Sequence, residues 1–202
     1  MIRLNVGCGA VLIDGYVNID RHKTEEIIER YGYDAYVRDY LQQPGAKICD
    51  YNILSLPYEE HSVDEILCDG FLEHLSFNDE RLFFQEVNRV LKKGGLLNFS
   101  VPDFDAAVKQ WQEADDDFKD FYVNGTEEHW FGNYDRNIKN KWGYLTATIF
   151  GNQNGEGQFH RTAYTVKKIL KIMKLLNFTC ELEFYNFKNT EIKMIRCKSY
   201  KK

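Results

Sequence analysis

The sequence predicts an α/β protein: a doubly wound, mostly parallel seven-stranded sheet, helices on both faces, and an antiparallel hairpin at the C-terminus. Three observations carry this expectation. The stretch Arg3-Leu-Asn-Val-Gly-Cys-Gly9 is a short apolar run rising into two glycines. From there to Val101, β-prone runs alternate with helix-periodic pieces, the pattern of strand–crossover–strand units. Near the end, the alternating run Cys180–Phe184 is followed by a turn at Lys188-Asn189-Thr190 and a returning run, Glu191–Cys197.

Taken in order, the first strand runs into Gly7 and Gly9. Glycine is the residue that permits positive φ and close backbone approach, so a ligand is expected across this turn. Tyr16-Val-Asn-Ile-Asp20 alternates and reads as a second strand closed by an acid. Too few residues separate it from the first for a full crossover helix. An acid in that place suits a ribose diol, although a solvated strand end fits equally well. Lys23–Tyr33 is helix-prone, and Asp34–Gln43 reads as loop or a short helix. Ala46–Cys49 is a short third strand, again closed by an acid, Asp50. Leu54–Tyr58 is an extended turn, and Ser62–Cys68 is a fourth strand ending at Asp69-Gly70.

Ser76 or Asn78 should cap a helix running through Leu91, with Leu82, Phe83, Glu86, Val87, Val90 and Leu91 on its inner face. Lys92, Lys93 and Gly94-Gly95 are expected to stop it. Leu96–Val101 is a fifth strand, turned by Pro102-Asp103. Phe104–Phe121 is helical and acidic, and Leu145–Phe150 is a further helix candidate. Thr165 should cap a final helix with Val166, Ile169, Leu170, Met173 and Leu176 inward, closed by Asn177 in left-handed geometry.

Composition narrows the function. The chain has 202 residues, 44% of them apolar, enough for one sizeable core. One domain over 1–202 is expected, with 104–164 inserted as a helical and loop substrate lid. The net charge of −5, from 26 basic and 31 acidic residues, does not suggest a nucleic-acid surface. Five cysteines without a C-x-x-C pair read as reduced buried thiols. The first strand begins at residue 3, leaving no room for a leader, and no apolar run is long enough to span a bilayer. A soluble, cytoplasmic protein is expected, as a monomer or an oligomer.

The ordered strings LNVGCG, YVNID, CDYNILSLPYEEHSVDEILCDGFLEHL, EVNRVLKKGGLLNFSVPDF and FGNQ…FHRTAYT resemble the class I S-adenosylmethionine-dependent methyltransferases. The resemblance is nearest to a branch common among bacterial sugar- and polysaccharide-modifying enzymes. It covers most of residues 3–110 and returns at 150–178. It implies a site for S-adenosylmethionine, with the homocysteine form as product. Asn5, Gly7, Cys8 and Gly9 would form the loop under its methionine part. Asp20 would take the ribose, and Asp50, with Tyr51 and Asn52, the adenine. Leu67–Asp69 would lie where the sulfonium meets the acceptor. Glu73-His74 belongs to a widespread LEHL string and is assigned a structural role. The chain departs from the family pattern at Asn5, which stands for an acid, and at Val11, which stands for a third glycine. Asp69-Gly70 replaces a common Ser-His pair, which removes one possible base and puts an acid in its place.

The implied reaction is methyl transfer to a small molecule, with a sugar or sugar-nucleotide hydroxyl as the leading acceptor. N- or carboxyl-methylation and a non-catalytic partner subunit are the alternatives. A dinucleotide dehydrogenase would need the missing third glycine and a full first helix. An alcohol acceptor needs a base. His160 is the first candidate, then His129 and Asp69. His160 and His129 also suit packing or surface positions. Asp103, Trp130, Arg136 and Arg161 are candidates for holding substrate. The two arginines suit a carboxylate or phosphate, or equally solvated loop charge. The aromatic set Trp111, Trp130, Phe131, Tyr134 and Trp142 suits stacking on a sugar or the core of the inserted segment. The five histidines show no ligand-like spacing, so no metal site is expected.

Overall fold

A computed structural model of the chain describes residues 1–9, 11–21, 48–113, 148–151, 153, 157–187 and 192–202. Seven strands form one sheet: β1 (Arg3–Val6), β2 (Val17–Ile19), β3 (Ile48–Cys49), β4 (Val63–Asp69), β5 (Leu91–Pro102), β6 (Glu181–Asn186) and β7 (Lys193–Tyr200). Their order is β3-β2-β1-β4-β5-β7-β6. The pairs from β3 through β5 are parallel, and β7 runs antiparallel to both neighbours. The expected sheet and terminal hairpin are thus present. β1 lies where the order reverses, so the ends of β1, β2 and β4 open on one crevice.

Three α-helices lie wholly within the described residues: α1 (Phe77–Val90), α2 (Phe104–Glu113) and α3 (Val166–Leu175). Ser76 caps α1, its Oγ accepting from the Asp79 amide at 3.2 Å. Thr165 caps α3 in the same way through the Lys168 amide, and Asn177 closes it at φ +60°. Both caps satisfy amides that the first helical turn leaves without an internal partner.

The inner faces differ from the sequence reading in one residue each. Phe84, not Leu82, is buried on α1, and Leu170 is 46% exposed on α3. Edge-on ring contacts join Phe71 to Phe83, Phe83 to Phe84, and Phe84 to Phe99, at centroid separations of 5.8–6.3 Å. This aromatic chain ties the α1 face to β5 beneath it.

The end of α1 is a correction. Gly94-Gly95 does not terminate the helix. Leu91 takes an extended conformation directly after Val90 and opens β5, pairing with Val63 across an irregular register. Gly94 (φ +74°) lies within that strand, its amide donating to the Lys201 carbonyl at 2.8 Å. The positive charge at the helix end is also not the one expected. Lys201, from beyond β7, donates to the carbonyls of Asn88 and Leu91. Lys92 instead pairs with Asp64 at 2.7 Å. No helix among the described residues is long and apolar enough to cross a membrane.

Candidate active site

The crevice begins at the β1–β2 connection. Gly7 (φ +67°) and Gly9 (φ +50°) both hold the left-handed backbone that favours glycine. They differ in what surrounds them. A Cβ on Gly7 would fall 2.1 Å from Cδ2 of Phe71, whereas one on Gly9 would meet nothing within 4 Å. Gly7 is therefore pressed against a ring from the segment after β4, and Gly9 faces open space.

The amides of Gly7 and Cys8 both donate to the Ile19 carbonyl, at 2.8 and 3.1 Å, which folds the turn over the end of β2. There the Asp20 carboxylate accepts the Gly9 amide at 2.9 Å. The Asp20 amide in turn donates to the Cys49 carbonyl at 3.2 Å. The tips of β1, β2 and β3 are thus stitched side by side, and the exposed Asp50 follows at the third. Tyr51 stands beside it, edge-on to Tyr58 at 6.3 Å. Asn52 is exposed and uses its Oδ1 to accept from the Leu54 amide at 3.0 Å.

Asn5 and Cys8 face inward. Asn5 is buried, and its amide donates to the Val11 carbonyl and to Asn18 Oδ1, both at 2.8 Å. Asn18 Oδ1 also accepts the Ile13 amide at 2.9 Å. This paired-asparagine network fixes the short connection from behind, a task an acid at position 5 would do poorly against two acceptors. Asn18 was not anticipated, because its role depends on a partner 13 residues away. Cys8 is buried, and burial pushes its thiol well above the ordinary thiol range, so it is an inert packing group.

The other wall is built after β4. Asp69 is exposed at the strand tip and accepts from the Ser100 hydroxyl. Gly70 (φ +62°) donates its amide to the Ser100 carbonyl at 3.0 Å and turns the chain inward. A single 3-10 turn, Leu72–His74, follows. Glu73 is buried, and its Oε2 has no hydrogen-bond partner. Burial, with the Asp69 charge adding to it, raises its carboxyl to about 8.

His74 and His160 meet edge to face, ring centroids 4.9 Å apart. His74 Nδ1 contacts the Phe159 carbonyl at 3.0 Å, and His160 Nδ1 contacts the Thr148 carbonyl at 2.9 Å. A carbonyl only accepts, so each Nδ1 carries the proton and each Nε2 keeps a lone pair when the ring is neutral. Burial lowers both imidazoles, His160 to about 4 with His74 adding to the effect.

The backbone carbonyl of Glu73 accepts the amides of Arg161 and Thr162, at 2.7 and 3.1 Å, locking the 3-10 turn to residues 160–162. The Arg161 side chain is exposed, and its charge reaches His74, as does that of Arg21. Asp103 caps α2, its Oδ1 accepting the Ala106 amide at 3.2 Å. Glu73, His160 and Tyr164 line a narrow space of about 10 Å³ beside α2, room for about one water.

The structure thus gathers Gly7, Gly9 and Asp20 at one turn, with Asp50 on the next strand, and sets Asp69 and His160 on the opposite side. His129, Trp130 and Arg136 lie outside the described residues. The reading that no metal-ligand cluster exists rested on spacing along the chain. The fold brings Glu73, His74 and His160 together across that spacing, with one potential ligand atom from each within 4.8 Å of the others.

Known proteins resemble this chain over part of its sequence and in its fold. Residues 4–99 match the family model described as a methyltransferase domain. Over those residues, just under half of its length, the chain is similar to the S-adenosylmethionine-dependent methyltransferases. An uncharacterised protein of Methanocaldococcus jannaschii is 37% identical over 76 residues, 38% of this chain and 31% of that protein. The match therefore spans about a third of that relative's length. In fold, the chain is similar to a methyltransferase of Methanosarcina mazei, with TM-score 0.60, 18% identity, and 98% of this chain and 91% of that one covered. It is also similar to the 1,6-didemethyltoxoflavin-N1-methyltransferase of Burkholderia thailandensis, solved with its substrate and S-adenosylhomocysteine, with TM-score 0.59, 12% identity, and 99% and 70% coverage.

The chain's own residues fit the cofactor of the proteins it resembles. Two left-handed glycines leave the backbone bare, Gly9 faces open space, and a carboxylate is held at the same turn.

Proposed function

We propose that the protein transfers a methyl group from S-adenosylmethionine to a hydroxyl of a small molecule, with a sugar or sugar nucleotide as the leading class. One observation supports the cofactor half above all: the Asp20 carboxylate and the Gly7–Gly9 turn are bound to each other through the Gly9 amide at 2.9 Å. In this reading Asp20 takes the ribose hydroxyls, Asp50 with Tyr51 and Asn52 takes the adenine, and the backbone of Gly7–Gly9 runs under the amino-acid portion. Phe71, packed on Gly7, shapes that floor from the acceptor side. The bound cofactor supplies a methyl group already activated on a sulfonium. The chain's task is then to align the acceptor oxygen at ~3–3.5 Å and to exclude water.

An alcohol must also lose its proton. His160 presents a neutral ring with the lone pair on Nε2, which supports its place on the acceptor side. Its lowered basicity means that it holds a proton poorly, so it acts best on a hydroxyl made more acidic by something else. Asp69, exposed at the tip of β4, favours a second reading in which the acceptor is an amine attracted by the carboxylate.

The test pairs binding with turnover. Ligands that bind only the folded state stabilise it by ~2.7 kcal/mol at a hundredfold excess over the dissociation constant. S-adenosylhomocysteine is expected to raise the melting temperature, and NAD to leave it unchanged. A mass-spectrometric screen of sugars, sugar nucleotides, amines and carboxylates should then show methylation of a hydroxyl compound. Methylation confined to amines would replace this reading with the second one.

A further inference from the structure

Glu73, His74 and His160 have no assigned ligand. We propose that they form a binding site for a divalent first-row transition-metal ion of the zinc, cobalt or manganese type.

The donor set is the first ground. Two imidazoles and one carboxylate each bring a potential ligand atom, and the three lie within 4.8 Å of one another. Binding at metal–ligand distances of ~2.0–2.2 Å needs donors ~3–3.5 Å apart, which small side-chain rotations would provide. Both Nδ1 atoms are already committed to backbone carbonyls. Ligating histidines characteristically use the second nitrogen in this way, fixing the tautomer and aiming the lone pair of Nε2.

The buried carboxylate is the second ground, independent of the rings. Glu73 is 4% exposed and its Oε2 has no hydrogen-bond partner. A buried carboxylate oxygen with nothing to accept from is costly. A cation beside it would remove that cost. Local rigidity is the third ground. The carbonyl of Glu73 is tied to the amides of Arg161 and Thr162, so the 3-10 turn and the residue 160 segment are held as a unit.

The charges nearby are mixed. Arg21 and Arg161 bring positive charge toward His74, while Asp20 acts on His74 and Asp69 on Glu73 with negative charge. A nitrogen-rich set with one carboxylate suits zinc, cobalt or manganese better than magnesium, which prefers all-oxygen surroundings. With three protein ligands, coordination positions stay open. A hydroxyl oxygen taken there would lose its proton to water more readily, and His160, its Nε2 lone pair then on the ion, would no longer be the base. That consequence rests on the methyl-transfer reading, whereas binding of the ion does not.

The test uses the full chain, stripped with chelator and titrated with Co(II) while its visible absorption is followed. One equivalent should bind per chain and be displaced by Zn(II) but not by Mg(II). Glu73→Gln, His74→Asn and His160→Asn should each weaken Co(II) binding at least about tenfold, while His61→Asn leaves it unchanged. Folding is checked by circular dichroism, and the cofactor cleft by the melting response to S-adenosylhomocysteine. A wild-type chain with no saturable cobalt band overturns the proposal. So does undiminished binding in any of the three variants that remains folded. Wild-type cobalt binding without any S-adenosylhomocysteine response would support the metal site and remove the methyl-transfer reading instead.

Discussion

The two walls of the crevice are built on opposite plans. The wall at β1–β3 is made of backbone: two left-handed glycines, the paired amides on Ile19, and one carboxylate on the Gly9 amide. Its polar side chains behind the turn, Asn5 and Asn18, satisfy each other. The wall at β4 is made of side chains whose ionisation burial has displaced, with Glu73 raised to about 8 and His160 lowered to about 4. The first wall suits holding a ligand that is always the same. Groups shifted away from their ordinary ionisation, as in the second, suit acting on a reacting partner.

The sharpest way to break this comparison is at the glycines. Gly7→Ala must displace Phe71 and also strain a left-handed backbone, so a loss of about 2–5 kcal/mol is expected in denaturant unfolding. Gly9→Ala meets open space and carries only the backbone strain, about 1–2 kcal/mol. Equal losses would mean that Phe71 does not brace the turn. Next in size is Asp20→Ala. Losing charge-assisted hydrogen bonds worth about 1.5–3 kcal/mol should weaken S-adenosylhomocysteine about tenfold to a hundredfold by calorimetry. Asn5→Ala leaves the Val11 carbonyl and Asn18 Oδ1 without their shared donor and should cost about 1–3 kcal/mol of stability.

The smallest effect belongs to the scaffold below both walls. Glu86 takes a fork from Arg89 and the Leu56 amide at 2.6 Å, and the Arg89 contact holds its carboxyl below the ordinary value of 4.5. A lowered carboxyl contributes stability above about pH 4.5, and that contribution is lost as the pH falls through the folded-state value. Glu86→Gln should therefore flatten the acid limb of the stability profile. An unchanged acid limb would show that the fork does not stabilise the fold.

How much could be read beforehand follows the same division. The first wall is local. Gly7, Gly9 and Asp20 lie within one strand–turn–strand unit, and the strand ends announced themselves by apolar runs closing on glycine or acid. Glu73 and His160 were invisible as a pair because 86 intervening residues hide a contact that only the parallel sheet and the amide links to Glu73 create. The same blindness explains Lys201, which caps α1 from the far end of the chain while Lys92 and Lys93 looked better placed. Gly94-Gly95 misled for another reason. A glycine pair after a helix resembles a stop, yet here the chain passes from Val90 straight into β5, and Gly94 serves a strand irregularity. Side-chain periodicity placed both helices correctly but could not choose between Leu82 and Phe84, since the deciding contact is the ring of Phe99.

The central claim is that a backbone turn and the carboxylate bound to it together hold an adenosine-bearing sulfonium ligand. Calorimetric titration with S-adenosylhomocysteine tests it most directly. One site per chain in the wild type, a marked loss in Asp20→Ala and no heat with NAD are the predicted results. Binding of NAD without S-adenosylhomocysteine, or an Asp20→Ala protein that binds as the wild type does, would contradict it.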